Sequence, residues 1–259
     1  MNTIILLALL LVPALARAEI KTQTIPYKDG EVTLKGHLAF DDSVKTDRPG
    51  VLVAPEWWGL NDYAKQRAEM LAQMGYVAFA VDMYGDGFVT TSAEEAGKRS
   101  GQFRADRQAG RKRILAALET LKKQPHVDTK RIAAIGYCFG GTCVLELARS
   151  GADVAGVVSF HGALGTPMPA QPGKVKAKVL VCHGVEDSFI SADELAGFQK
   201  EMREAGADWQ LIFYSQAVHS FTNPNAGKAG IAGVAYHELA DKRSWEHMKV
   251  FFAEIFKAP

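Results

Sequence analysis

The sequence predicts an α/β fold in which helices cover both faces of a mostly parallel central sheet. Three observations carry this. Five short runs, VLVA (51–54), VAFAV (77–81), IAAIGY (132–137), VAGVVSF (154–160) and VLVCH (179–183), are apolar without alternation. Strands read this way when both of their faces are buried. Between the runs lie longer stretches with apolar residues at helical spacing, and strand–helix alternation is the pattern of a parallel sheet. Finally, the 259 residues are 47% hydrophobic. That is enough for one sizeable core, and no repeat or low-complexity linker divides it.

Taken in order, the chain opens with an apolar run from Ile4 to Ala16 that ends in Ala16-Arg17-Ala18. A small-x-small site after a short apolar run is the mark of a cleaved export signal, and the run is short for a membrane span. Met1-Asn2-Thr3 departs from that pattern in carrying no Lys or Arg; an uncleaved anchor or a buried helix is the competing reading. The expectation is a signal peptide over 1–18, cleavage after Ala18, a periplasmic location and one domain over 19–259. No second apolar run of that length follows, so no stable membrane anchor is expected after cleavage.

The domain starts with a hairpin, Thr22–Tyr27 and Glu31–Phe40, turned at Asp29-Gly30. Gly50–Ala54 is a strand. Asn61–Met74 is a helix capped by Asn61, with Ala64, Ala68 and Leu71 on one face and Gly75 at its end. Tyr76–Val81 is a strand, and Ser92–Lys123 is one long, mostly helical segment. Arg131–Tyr137 is a strand followed by a helix over Phe139–Arg149. Val154–Phe160 and Lys178–Cys182 are strands, joined by a loop with three prolines and three glycines. Ser191-Ala-Asp-Glu194 reads as a capping box opening a helix with Leu195, Phe198 and Met202 on its stripe. Trp209–Tyr214 is the last strand. Tyr236–Phe256 is the last helix, with Trp245, Met248, Phe252 and Ile255 facing inward.

Charge excludes some functions. Lys and Arg number 30 against 29 Asp and Glu, a net charge of +1, without the basic excess of a nucleic-acid surface. Arg111-Lys112-Arg113 falls in a helical pattern and reads as a solvated face. The three cysteines, Cys138, Cys143 and Cys182, do not make a disulfide scaffold. Cys143 and Cys182 read as small core residues, and a bridge between them is left open.

In a parallel sheet, ligands bind at the carboxyl ends of the strands. The reactive residues just past those ends are Glu56 and Trp57, Asp82 and Asp86, Cys138, His161, His183 with Glu186 and Asp187, and His219. Gly136-Tyr-Cys138-Phe-Gly140-Gly141 has the spacing of a nucleophile elbow, with cysteine where serine is usual. Glycines at the flanks permit a sharp turn that projects the sulfur at a helix N-terminus, where the dipole favours thiolate. The backbone N–H of Phe139 then points where an oxyanion forms. Elbow hydrolases carry nucleophile, acid and histidine in that chain order, and here the order is Cys138, Asp187, His219. His219 would move the proton and Asp187 would hold its tautomer. Glu186 is the competing acid. His37, His126, His237 and His247 read as solvated or packing residues, and His161 and His183 as strand-end residues that line the pocket or bond loop backbone.

Together the stretches Pro55-Glu-Trp-Trp-Gly-Leu-Asn-Asp62, Val81-Asp-Met-Tyr84, Gly136–Gly141, His183-Gly-Val-Glu-Asp187 and His219-Ser-Phe221 resemble the dienelactone hydrolase family of α/β-hydrolases. The resemblance implies an α/β-hydrolase fold and a Cys138–His219–Asp187 triad. It implies that Glu56 contacts the resting thiol and aids its activation, and that the Trp57 amide joins that of Phe139 in the oxyanion hole. It implies no cofactor and no metal. Members that cleave dienelactone hold its carboxylate with two arginines; this chain has Gly85-Asp86 and Asn223 at those places. A neutral ester or lactone is therefore the expected small-molecule substrate rather than dienelactone. Trp57, Trp58, Tyr84 and Phe88 are expected as aromatic pocket walls, with His161 and Asn223 lining it, and Arg99, Arg104 and Arg107 as solvated residues of a helical cap able to supply positive charge. Two other readings compete: a non-enzymatic thiol or redox-responsive protein centred on Cys138, and a metal site from His161, His183 and His219. No feature of the sequence sets an oligomeric state.

Overall fold

The computed structural model describes residues 19–257, so the export signal expected over 1–18 lies outside the described residues. An eight-stranded sheet runs in the order β1-β2-β4-β3-β5-β6-β7-β8. The hairpin β1 (Ile20–Asp29) and β2 (Val32–Asp41) forms one antiparallel edge, turned at Gly30 with φ 58°. It joins the rest through an antiparallel pairing of β2 with β4 (Val77–Ala80). From there β3 (Arg48–Ala54), β5 (Val127–Tyr137), β6 (Gly156–Phe160), β7 (Lys178–Gly184) and β8 (Trp209–Tyr214) are all parallel.

Because successive strand residues point to opposite faces, the continuous apolar runs feed two cores. Leu52 and Ala54 pack under Ile114, Leu118, Val144 and Leu147 of the helices α3 (Arg107–Lys122) and α4 (Phe139–Arg149), and α5 (Ala192–Glu204) adds Phe198 and Met202 to that core. Val51 and Val53 pack on the other face with Ala64, Ala68 and Leu71 of α1 (Asp62–Gln73) and Met248 and Phe252 of α6 (Glu238–Ile255). Trp245 and Ile255 of the expected inner stripe are only partly buried there.

Three details differ from the sequence expectation. The long segment before β5 is two helices, α2 (Ala93–Ala105) and α3, broken at Asp106, whose carboxylate accepts from the Ala109 amide to cap α3. A polar cap outcompetes helix continuation wherever its side chain can satisfy the new N-terminus. β5 begins four residues early, with a register shift opposite Pro49/Gly50. The box at α5 is half formed: Ser191 Oγ accepts from Glu194 N–H, but the Glu194 carboxylate instead accepts from the Leu164 and Gly165 amides at 2.6 and 2.8 Å. It holds the loop after β6 rather than its own helix.

Candidate active site

The turn after β5 exists because side chains are absent from it. A Cβ on Gly136 would stand 2.1 Å from the Gly140 carbonyl oxygen, and one on Gly140 would stand 2.1 Å from that of Ala54. Cys138 sits at φ 51°, ψ −117°, a conformation that costs a non-glycine residue about 1–3 kcal/mol and persists only where its surroundings impose it. Its N–H is held from behind, donating to the Phe160 carbonyl and to His161 Nδ1, each at 3.0 Å. The sulfur is left projecting over the sheet edge at the start of α4.

Two loops bring the partners. His219 Nε2 lies 3.0 Å from Cys138 Sγ, and His219 Nδ1 lies 2.8 Å from Asp187 Oδ2. Asp187 is buried and its other oxygen accepts from the Phe189 amide at 3.0 Å; Glu186 is exposed. The His219 main chain is clamped to the following loop, its N–H donating to Gly233 and its carbonyl accepting from Ala235. Burial works against protonation of His219, but the charge of Cys138 and the hydrogen bonds to Asp187 and Cys138 outweigh it, and the imidazole titrates well above its ordinary value.

Glu56, 1% exposed, is placed beside this line rather than in it. It accepts from Ser220 Oγ at 2.9 Å and Asn223 Nδ2 at 2.6 Å. The contact with the resting thiol that the resemblance implied is not made; the thiol's partner is His219. Burial pushes the Glu56 carboxyl up, against the pull of the Ser220 and Asn223 hydrogen bonds. Among the described residues the amides of Trp57 and Phe139 have no backbone acceptor, and the backbone at Trp57 is pinned by the Tyr84 hydroxyl on its carbonyl at 2.9 Å.

A cavity of about 260 Å³ opens over the sulfur, lined by Trp57, Trp58, Phe139, Thr142, Phe189 and Ile231 among others, with Arg104 and Arg107 on one wall. A second space of about 500 Å³ shares Trp58, Ser220, Ile231 and Val234 with it and continues to Glu56, Asn61, Thr90, Asn223 and Lys228. So Trp57 and Trp58 are walls as expected, and Asn223 lines the second space. Three expected lining residues do not line either. Tyr84 stacks behind Phe139 with centroids 5.9 Å apart, because its hydroxyl is drawn to Trp57. Phe88 packs on Tyr84 and lies under Arg99 at 4.2 Å. His161 is fully buried below Cys138.

Of the cap arginines expected to be solvated or to supply positive charge, Arg104 and Arg107 line the cavity, Arg104 exposed and Arg107 half-buried. Phe189, Ile190, Ser220, Ile231 and Val234 were not foreseen. Phe189, two residues past the acid, was the most legible of these: its ring stands 5.0 Å from that of His219. Asp86, at a place where the resemblance gives arginine, is 80% exposed and 3.8 Å from Lys35, away from the cavity.

The histidines do not form a ligand set. His161 Nδ1 accepts from Cys138, so its Nε2 carries the proton and donates to Thr222 Oγ1 at 2.7 Å; Thr222 in turn bonds the Tyr63 hydroxyl. Burial lowers the His161 pKa well below the ordinary imidazole value, which keeps that acceptor available. His183 is buried against Phe213. Among the described residues no group of three His, Cys, Asp or Glu side chains could hold a metal ion.

Comparison with known proteins shows the family and the fold. Residues 34–256 match the model of the dienelactone hydrolase family. The fold superposes with a TM-score of 0.90 on a dienelactone hydrolase-like promiscuous phosphotriesterase from metagenomic libraries, at 41% identity over 93% of this chain and 100% of that one. It superposes with a TM-score of 0.89 on m3DLH, at 44% identity over 92% of this chain and 99% of that one. A "Putative carboxymethylenebutenolidase" of Aquifex aeolicus is 28% identical over 206 residues, 78% of this chain and 87% of its own length. The chain thus belongs to the dienelactone hydrolase family and is a hydrolase of ester or lactone bonds.

Proposed function

We propose that the protein cleaves a carboxylic ester or lactone through an acyl-enzyme on Cys138, with His219 as acid–base and Asp187 as its orienting carboxylate. The observation that carries this is the unbroken line from Asp187 Oδ2 through both His219 nitrogens to Cys138 Sγ, at 2.8 and 3.0 Å. Such a line lets the thiol proton reside on the imidazole while Asp187 stabilises the resulting cation. The thiolate adds to the substrate carbonyl, whose oxygen becomes an anion beside the Trp57 and Phe139 amides. Donors fixed before charge develops are the largest single source of stabilisation in acyl transfer. The carbon–oxygen bond of the leaving group breaks as His219 returns the proton to that oxygen. Water, deprotonated by His219, then attacks the thioester; the acid is released and Cys138 recovers its proton. Glu56, held by Ser220 and Asn223, supports the loop that carries His219. The pocket holds no family arginine at Asn223, which supports a substrate other than dienelactone. We also propose export to the periplasm, supported by the Ile4–Ala18 pattern alone.

The test is p-nitrophenyl acetate hydrolysis by residues 19–259 under reducing conditions, beside Cys138→Ala. Loss of kcat/KM by roughly 10³-fold or more in a variant with unchanged circular dichroism is the expected result. Equal turnover by both proteins would move the nucleophile elsewhere.

A further inference from the structure

We infer that His161 is a positioning residue that ties the nucleophile to the base, an inference that rests on the reading of Cys138 and His219 in those roles. Its ring bonds at two ends. Nδ1 accepts from the Cys138 N–H at 3.0 Å, and Nε2 donates to Thr222 Oγ1 at 2.7 Å. Thr222 lies three residues beyond His219 on the same loop. One rigid ring therefore joins the peptide that carries the sulfur to the segment that carries the imidazole. It does so behind the 3.0 Å contact of Cys138 Sγ with His219 Nε2.

The loop is fixed at other points, but those do not reach the nucleophile. Ser220 and Asn223 are held by Glu56, and the Thr222 carbonyl accepts from Arg67 Nη2 at 2.7 Å. Among the described residues, His161 is the one side chain that hydrogen-bonds both this loop and the Cys138 main chain. The backbone is bent to place it there. His161 takes φ 43° and Cys138 takes φ 51°, so two non-glycine residues hold a costly conformation at either end of one hydrogen bond.

The chemistry of the ring suits the task. A neutral imidazole carries an acceptor and a donor at opposed positions of one rigid plane, and the bond at one nitrogen sets the proton on the other. A second proton would make Nδ1 a donor facing the Cys138 N–H. The titratable and charged groups around the ring are Cys138 on the elbow, Tyr137 on β5, His183 on β7, His219 on its loop, and Arg67 and, through Thr222, Tyr63 on α1. Burial first, then the charges of His219 and Arg67, keep the second proton off. What the ring fixes is a separation. A thiolate and an imidazolium stabilise each other at contact, so a loosened pair forms at higher pH and is lost at lower pH.

The discriminating measurement is the pH profile of kcat/KM for p-nitrophenyl acetate in the wild type and in variants cut at the far end of the link. Thr222→Val keeps the shape and removes the acceptor. His161→Asn keeps an acceptor for the Cys138 N–H on a side chain too short to reach Thr222. Each is expected to lower kcat/KM at its optimum about tenfold, the effect of one buried hydrogen bond. Each is also expected to narrow the bell by about half a pH unit or more on both limbs, as the ion pair loosens. Loss of folded enzyme scales a bell without narrowing it, so a purely structural role does not move this readout. Thr222→Ser, which restores the hydroxyl, is expected to recover the width. The double variant is expected to lose about as much as either single one, because both cut the same link. Unchanged width in either single variant, a Thr222→Ser bell as narrow as that of Thr222→Val, or losses that add in the double variant overturns the inference. Failure of the wild type to turn over, or equal turnover by Cys138→Ala, would instead overturn the reading of the nucleophile.

Discussion

At the scale of single residues, Glu56 is a buried carboxylate whose two oxygens each accept a hydrogen bond, one from the Ser220 hydroxyl and one from the Asn223 amide. The candidate triad was legible because its members fall at or soon after strand ends, Cys138 directly after β5, Asp187 three residues after β7 and His219 five after β8. Glu56 was legible in position but not in contact. Its partners, Ser220 and Asn223, lie more than 160 positions away, and no local pattern announces a pairing of that span. Its buried carboxyl gives a pH-dependent prediction. Its folded pKa is raised, so ionising it costs more in the folded chain than in the unfolded one. That cost is absent below the ordinary carboxylate value, grows as pH rises through the ordinary and then the raised value, and stays above both. Glu56→Gln removes it while keeping both hydrogen bonds, with Oε1 accepting from Asn223 and Nε2 donating to the Ser220 hydroxyl. The variant is expected to gain thermal stability over the wild type at pH 8 but little at pH 4. A relief of about 1 kcal/mol corresponds to roughly 2–4 °C in a domain of this size, measured by thermal melts at the two pH values. A gain that is larger at pH 4 would reverse the sign of the argument.

At the scale of elements, strands other than β5 were read to within two residues at each end, because two-sided burial leaves a strong apolar signal. The break between α2 and α3 was missed. Asp106 sits inside a run of good helix formers, and the chain restarts there because its carboxylate caps α3 by accepting from the Ala109 amide. Arg104 and Arg107 stand on either side of that break, and both line the cavity. The elbow was legible from its glycines, and the structure gives them magnitudes. Gly140→Ala would set a methyl 2.1 Å from the Ala54 carbonyl oxygen, a backbone atom that cannot give way without moving β3. A loss of about 3 kcal/mol or more is expected, in the range of severe overpacking, read as the denaturation midpoint. Gly197→Ala on α5, where a Cβ meets nothing within 4 Å, is the matching control and should be neutral or stabilising.

At the scale of the whole molecule, the sheet separates the chemistry of the three cysteines. Cys143 belongs to the core beneath α3 and α4, and Cys182 to the core on the other face with α1 and α6. The bridge that the sequence left open would have to pass through the sheet, and two sulfurs must come within about 2 Å to bond. All three thiols are free, two of them buried, and burial pushes Cys182 up to about 12 and Cys143 higher still. Sequence periodicity places a residue on an element but does not say which side of a doubly covered sheet it faces, and that is why the pairing could not be settled before. The consequence is that the folded domain offers one reactive sulfur to any compartment, the oxidising one proposed here included. Thiol titration with an aromatic disulfide reagent should count one fast group in the native protein and three in denaturant. The single fast group should vanish in Cys138→Ala and survive in Cys143→Ala. Two fast groups in the native protein would mean that one of the cores opens, and the confinement of reactivity to Cys138 would fail with it.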